Sequence, residues 1–207
     1  SRGLGDVYKR QGVFGKVVQR LQIPIWMSAG TRQALSRMNF ADHVHEASDG
    51  EPIQVGALSL LPFAVSHDAR QPLQLCCSDG KAKLGLLTDL GVASPPVLAH
   101  LQDCHALLIE CNHDPDLLAA SHYPEFLRRR IAGARGHLAN AQATAIVTAL
   151  WHNGLRLLVG AHLSQHNNRP ELALAALQQA CATQAVKPSI LIADPVAGTP
   201  WLDVGMQ

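Results

Sequence analysis

Three short polar signatures each close an apolar run: Ser66-His67-Asp68-Ala69, Thr88-Asp89-Leu90-Gly91 and His162-Leu163-Ser164-Gln165-His166-Asn167-Asn168. An imidazole, a carboxylate and a second imidazole delivered from strand ends onto one rim are the donors from which a hard-to-borderline divalent metal site is built. His67 has Ser66 and Asp68 beside it, polar neighbours able to fix its tautomer. Asp89 follows Leu86-Leu87-Thr88, so its carboxylate leaves a buried strand into a turn that Gly91 permits. Two roles fit it, an Asx-turn acceptor or a carboxylate bridging two cations. A one-sided negative charge at a buried strand end is costly without a counter-ion, which favours the cation. His162 opens a polar cluster whose buried amides each cost about 1–3 kcal/mol if unsatisfied. A site supplies those partners, and so does a well-bonded loop.

A fourth cluster runs Glu110-Cys111-Asn112-His113-Asp114, His122-Tyr123-Pro124, Arg128-Arg129-Arg130 and Gly136-His137-Leu138-Ala139-Asn140. Its arginines form either the solvated face of a helix, with His137 in a turn and Asn140 in the next first helical turn, or a substrate-facing lip. In the second case guanidinium groups and a helix N-terminus meet phosphate oxygens. One absence matters as much: no His-x-His-x-Asp-His stretch occurs in the chain.

The elements that must position these residues follow from the apolar pattern. A helix is expected around Val13 to Leu21, a short strand at Ile23 to Met27, and a helix capped by Thr31 and running through Met38. Residues 52 to 66 read as strand material, followed across Asp-Gly and Gly turns by Leu73 to Cys77 and Leu84 to Leu87. The second half changes rhythm. Ala106 to Ile109 and Leu155 to Val159 are continuous apolar strands separated by helical stretches, notably Ala139 to Trp151 and Pro170 to Ala182; a last strand, Ile190 to Ile192, and a tail at Trp201-Leu202 close the chain. Such strands imply sheets covered by helices, an α/β fold. Residues 1–11 fit neither period and resemble translated adapter sequence, so they are expected to be a non-native leader before one partial domain over residues 12–207.

Composition bounds the function. The 207 residues with 47% hydrophobic content suffice for one sizeable core. A formal net charge of +1 gives bulk electrostatics no pull toward nucleic acid or a membrane surface, so any such partner has to be argued from local features. The 5 cysteines show no C-x-x-C spacing and read as buried free thiols of a reducing cytosol, and no apolar run is long enough to span a bilayer. The expected location is therefore cytoplasmic. The 11 histidines point mildly to metal chemistry.

Together these motifs, in this order, resemble the metallo-beta-lactamase superfamily, and within it the YycJ/WalJ-type branch of metal-dependent hydrolases and nucleases. The resemblance covers most of the chain from about Gly12 to Asn168. It implies an αββα sandwich with the site on the edge between its two sheets. It further implies two divalent ions, zinc or manganese, with His67 a ligand of the first, Asp89 the bridging and catalytic carboxylate, and His162 the last ligand of the second. His137 is then a candidate to protonate the leaving oxygen. Arg128, Arg129, Arg130, Asn140, Asn167 and Asn168 fall on the substrate side. Members of the branch are described as exonucleases on duplex DNA ends. The resemblance therefore implies a phosphodiesterase, with a small ester, thioester or lactone hydrolase and a non-catalytic scaffold as the alternatives.

The chain departs from the family in the missing first motif, which would supply three histidines and an aspartate just upstream of Gly12. Without it the sandwich lacks its opening strands, each metal keeps one histidine plus Asp89, and zinc's usual four-coordinate shell does not close. Such a fragment is expected to bind metal weakly, hydrolyse little, and leave a strand edge uncovered.

Overall fold

The computed structural model describes residues 18, 20–36, 40 and 43–204. The expected leader at residues 1–11 and most of the helix expected from Val13 lie outside them; Val18, Arg20 and Leu21 are helical. Strand β1 (Ile25–Met27) is followed by helix α1 (Ala29–Ala34) and strand β2 (Val44–Glu46), which pairs with β1 in parallel. Ser28, and not Thr31, caps α1: its Oγ accepts the Thr31 N–H at 3.2 Å. Thr31 sits in the first turn, and the helix ends at Ala34 with Leu35 as its C-cap, short of the expected extension to Met38.

The remaining strands form one seven-stranded sheet in the order β3 (Ile53–Val55), β4 (Leu58–Ala64), β5 (Leu73–Ser78), β6 (Lys83–Leu87), β7 (Ala106–Glu110), β8 (Leu157–Ala161) and β9 (Ser189–Ile192). The run expected over residues 52 to 66 folds as a hairpin broken at Gly56, whose φ of 60° suits a residue without a side chain. Pairing is antiparallel from β3 to β6 and parallel from β6 to β9. The parallel strands are joined by crossovers containing helices α2 (Pro95–Leu101), α3 (Pro115–Ala119), α4 (Glu125–Ile131), α5 (Asn140–Ala149) and α6 (Pro170–Ala180). Two successive reversals from β4 to β6 leave β4 running the same way as the parallel set. The chain segments after β4, β6, β7 and β8 therefore emerge at one edge of the sheet.

One main core lies on the helix-covered face. Phe63, Leu87, Ile109 and Leu158 of the sheet meet Val97, Leu101, Val147 and Leu177 of the helices, all nearly inaccessible to solvent. Each such side chain contributes about 1.5–3 kcal/mol of transfer free energy. The opposite face of β7 and β8 is covered by the tail instead of by helices: Leu202 and Val204 pack on Ala106, Leu157 and Val159. The small sheet has its own cluster, Val18, Ile25 and Phe40, and a cavity of about 480 Å³ separates it from Ile53, Leu60, Leu73 and Leu75 of the large one. No helix among the described residues is long and apolar enough to cross a membrane.

Candidate metal centre

Register decides which side chains meet. Leu87 pairs with Ile109, and Glu110 pairs with Ala161, so Asp89, Glu110 and His162 leave adjacent strands within two residues of aligned ends. His67 reaches the same edge from β4. Asp89 and His162 both take left-handed backbone conformations, with φ of 53° and 57°. Such geometry costs a non-glycine residue about 1–3 kcal/mol and persists only where the surroundings fix it. They do here. Asn112 Nδ2 donates to the His162 carbonyl at 3.0 Å, and Gln142 Nε2 donates to the Gly91 carbonyl at 3.1 Å, beside Asp89. The role expected for Gly91 changes accordingly: the tight turn is made by Asp89 itself. Gly91 instead allows close approach, since a Cβ there would lie 2.2 Å from the Gly133 carbonyl oxygen.

Two imidazoles face the Asp89 carboxylate through the same nitrogen. His67 Nε2 lies 3.9 Å and His162 Nε2 3.7 Å from Asp89 Oδ1. Their Nδ1 atoms point the other way, that of His67 to the Gly136 carbonyl oxygen at 3.1 Å and that of His162 to Glu110 Oε1 at 2.5 Å. Both of these partners can only accept, so each Nδ1 carries the proton and each Nε2 keeps a free lone pair directed at Asp89. The tautomer of His67 is thus fixed by Gly136, and not by Ser66 or Asp68 as expected. Ser66 Oγ donates to the Ala134 carbonyl, while Asp68 binds Arg130, a bond that lowers its pKa. Asp68 Oδ1 does come within 3.4 Å of His67 Nε2. Two imidazoles and a half-exposed carboxylate, each imidazole approaching the same carboxylate oxygen, are donors that fit a divalent cation.

Glu110 is the residue that spacing alone does not reveal. It is completely buried at the end of β7, and four donors saturate its carboxylate. His137 Nδ1 at 2.8 Å and His162 Nδ1 meet Oε1; the Leu90 and Leu138 amides meet Oε2 at 3.3 and 3.1 Å. Burial alone would raise its pKa, but the bonds from His137 and His162 prevail and hold it at about 2. The same bond raises the pKa of His162, against the opposing effect of its desolvation. Asp89, Glu110, His137 and His162 place ligand-type atoms within 4.8 Å of one another. Glu110 Oε1 is occupied by both Nδ1–H groups, however, so it stands behind the histidines as their support. The signal in the sequence was an acid closing a wholly apolar strand, which needs buried donors.

The expected substrate-side residues separate. Arg128 turns inward and donates through Nη1 to the Ala119 carbonyl. Arg129 pairs with Glu125 one turn earlier in α4, both of them exposed, and Arg130 with Asp68 next to His67. Asn140 and Asn168 are buried and exchange amide hydrogen bonds of 3.0 and 2.9 Å, and Asn168 also donates to the Cys111 carbonyl. Their amides staple α5 to the loop after β8. Asn167 is buried with both side-chain amide atoms unpaired. His137 lies between His67 and His162, its ring 5.2 Å from each. All five cysteines are free, with Cys77 only half-buried.

No family model matches the chain. It is 29% identical over 168 residues to the exodeoxyribonuclease YycJ of Bacillus anthracis, covering 80% of this chain and 64% of that protein. It is likewise 29% identical over 165 residues to the exodeoxyribonuclease WalJ of Streptococcus pneumoniae, covering 77% and 61%. The chain thus spans about three-fifths of the length of these curated relatives. Among solved structures, the metallo-beta-lactamase fold protein YhfI of Bacillus subtilis superposes with a TM-score of 0.66 at 16% identity, over 97% of this chain and 75% of that one. Zinc-bound PqqB of Methylobacterium extorquens gives 0.58 at 16% identity, over 82% and 62%. The chain has the metallo-beta-lactamase fold and is similar in sequence to the YycJ/WalJ exodeoxyribonucleases.

Proposed function

We propose that this chain carries the metal centre of a DNA exonuclease, a phosphodiesterase working with two divalent ions, zinc or manganese, in the cytoplasm. The carrying observation is the convergence of His67 Nε2 and His162 Nε2 on Asp89 Oδ1, with both opposite nitrogens locked. His67, Asp89 and His162 would hold the ions, which supply Lewis-acid activation of water and of the scissile phosphodiester. The three donors do not by themselves complete two four-coordinate shells.

The chain's own residues set the geometry. Glu110 holds His137 and His162 in one orientation and places negative charge behind both rings. His137, anchored through Nδ1–H, relays a proton through its other nitrogen, accepting it from the attacking water and passing it to the leaving oxygen. Arg130 ties α4 to the Asp68 turn, so the arginine-bearing helix stays beside the reacting phosphate without reading base sequence.

The test is metal uptake by calorimetry together with release of nucleotides from linear DNA in manganese or zinc. Asp89→Ala should abolish the metal uptake of the wild type, a larger effect than the 10–100-fold that removing a supporting partner costs, and with it any hydrolysis. Metal uptake unchanged in Asp89→Ala overturns the centre. Hydrolysis of small esters, thioesters or lactones with none of DNA selects the small-molecule alternative.

A further inference from the structure

Only 4 phenylalanines and 2 tyrosines occur in the whole chain, yet Tyr123 and Phe126 fall within four residues of each other, with only Leu127 between Phe126 and Arg128-Arg129-Arg130. Phe126 is 72% exposed on α4. A single exposed apolar side chain is unremarkable, but here it has company. The Tyr123 ring meets His166 edge-on at 6.1 Å, and His166 lies four residues after the metal-facing His162. The guanidinium groups beside Phe126 are open to solvent, with the side chains of Arg129 and Arg130 79% and 67% exposed.

This surface is coupled to the metal centre. Arg130 bonds Asp68, the neighbour of His67. The segment immediately after α4 supplies the Gly136 carbonyl that orients His67 and the Ala134 carbonyl that holds Ser66. Aromatic rings interleaved with cations are the chemistry that binds unpaired nucleotides, because a ring stacks on any base face while guanidinium follows the phosphates. A paired duplex hides every base face except that of its terminal pair, so such a surface finds far more to stack on where the end opens.

We infer that Phe126, with Tyr123 and His166 beside it, forms a stacking lip that grips the unpaired end of a DNA strand and feeds it to the metal centre. This inference rests on the nucleic-acid reading of the site given above. It is tested by fluorescence anisotropy in chelator with three labelled DNAs: a blunt duplex, the same duplex with a short overhang, and that overhang with its bases removed. The overhanging duplex should bind roughly tenfold more tightly than the other two. Phe126→Ala should bring all three to similar affinity, and Phe126→Tyr should restore the preference. Equal affinities in the wild type, no binding of any of the three, or a preference surviving in Phe126→Ala each overturn the lip. So does a change in sedimentation of Phe126→Ala without a change in DNA binding, which would make this face a contact between protein chains. Uptake of zinc or manganese in calorimetry, which involves no aromatic ligand, reads the metal centre separately and should be unchanged in Phe126→Ala. Its absence from the wild type, with the overhang preference intact, defeats the hydrolase reading and leaves the lip standing.

Discussion

The two sheets solve the same problem with very different means. The large sheet buries β6, β7 and β8 under α2, α5 and α6, and its apolar residues interdigitate as one contiguous core. The small sheet pairs two three-residue strands over a cluster that, among the described residues, has three buried members, and it faces a cavity of about 480 Å³. All the residues of the candidate metal centre are placed by the first arrangement and none by the second. Strained turns at Asp89 and His162 require a rigid support, and only the closely packed parallel edge provides one.

Core truncations sharpen this contrast most. Leu158→Ala, in a side chain completely buried between β7, β9 and the helices, should cost about 2–5 kcal/mol, because close packing prevents collapse around the void. Ile25→Ala should cost less, since its neighbourhood already contains open volume into which the cluster can relax. Urea midpoints check both. Equal losses would show that the small sheet is as tightly packed as the large one and would break the contrast.

An acid titration should follow, with a somewhat smaller effect. The Glu110 pKa is depressed from 4.5 to about 2, so the carboxylate contributes stability that is complete above pH 4.5 and is lost as pH falls toward 2. The shift corresponds to roughly 3 kcal/mol. His162 is shifted upward, so its share is complete below pH 6.5 and fades as pH rises through its folded pKa. In chelator, the stability difference between wild type and Glu110→Gln should be greatest between about pH 4.5 and 6.5 and shrink on either side. A difference flat from pH 6 to pH 3 would mean that the buried carboxylate does not support the edge.

The pattern of buried strands in the second half, and with it much of the edge that carries the site, is legible in the apolar runs, because three apolar strands separated by helical stretches admit few topologies. Thr31 and Ser28 show the limit for caps. Both are cap formers, they lie three residues apart and they bond each other, so composition cannot choose between them. The arginine run shows the limit for sites. Successive helical residues point about 100° apart, so Arg128, Arg129 and Arg130 go to a carbonyl, a glutamate and an aspartate on three different sides. Asn140 and Asn168 are 28 residues apart and satisfy each other, which no local motif could reveal.

Glu110 separates support from ligation most finely. Glu110→Gln keeps the shape of the side chain and its place at the end of β7, but it removes the charge that both Nδ1–H groups address. An amide has one oxygen where the carboxylate has two, and the Leu90 and Leu138 amides already claim the second oxygen. Either they lose their acceptor or the histidines do. Freed of that constraint, His162 can turn its other nitrogen away from Asp89, and metal affinity should fall by about 10–100-fold without disappearing. Titration with zinc or manganese measures this loss. A complete loss would make Glu110 a ligand, and no loss would mean that the strained backbone at His162 orients the ring by itself.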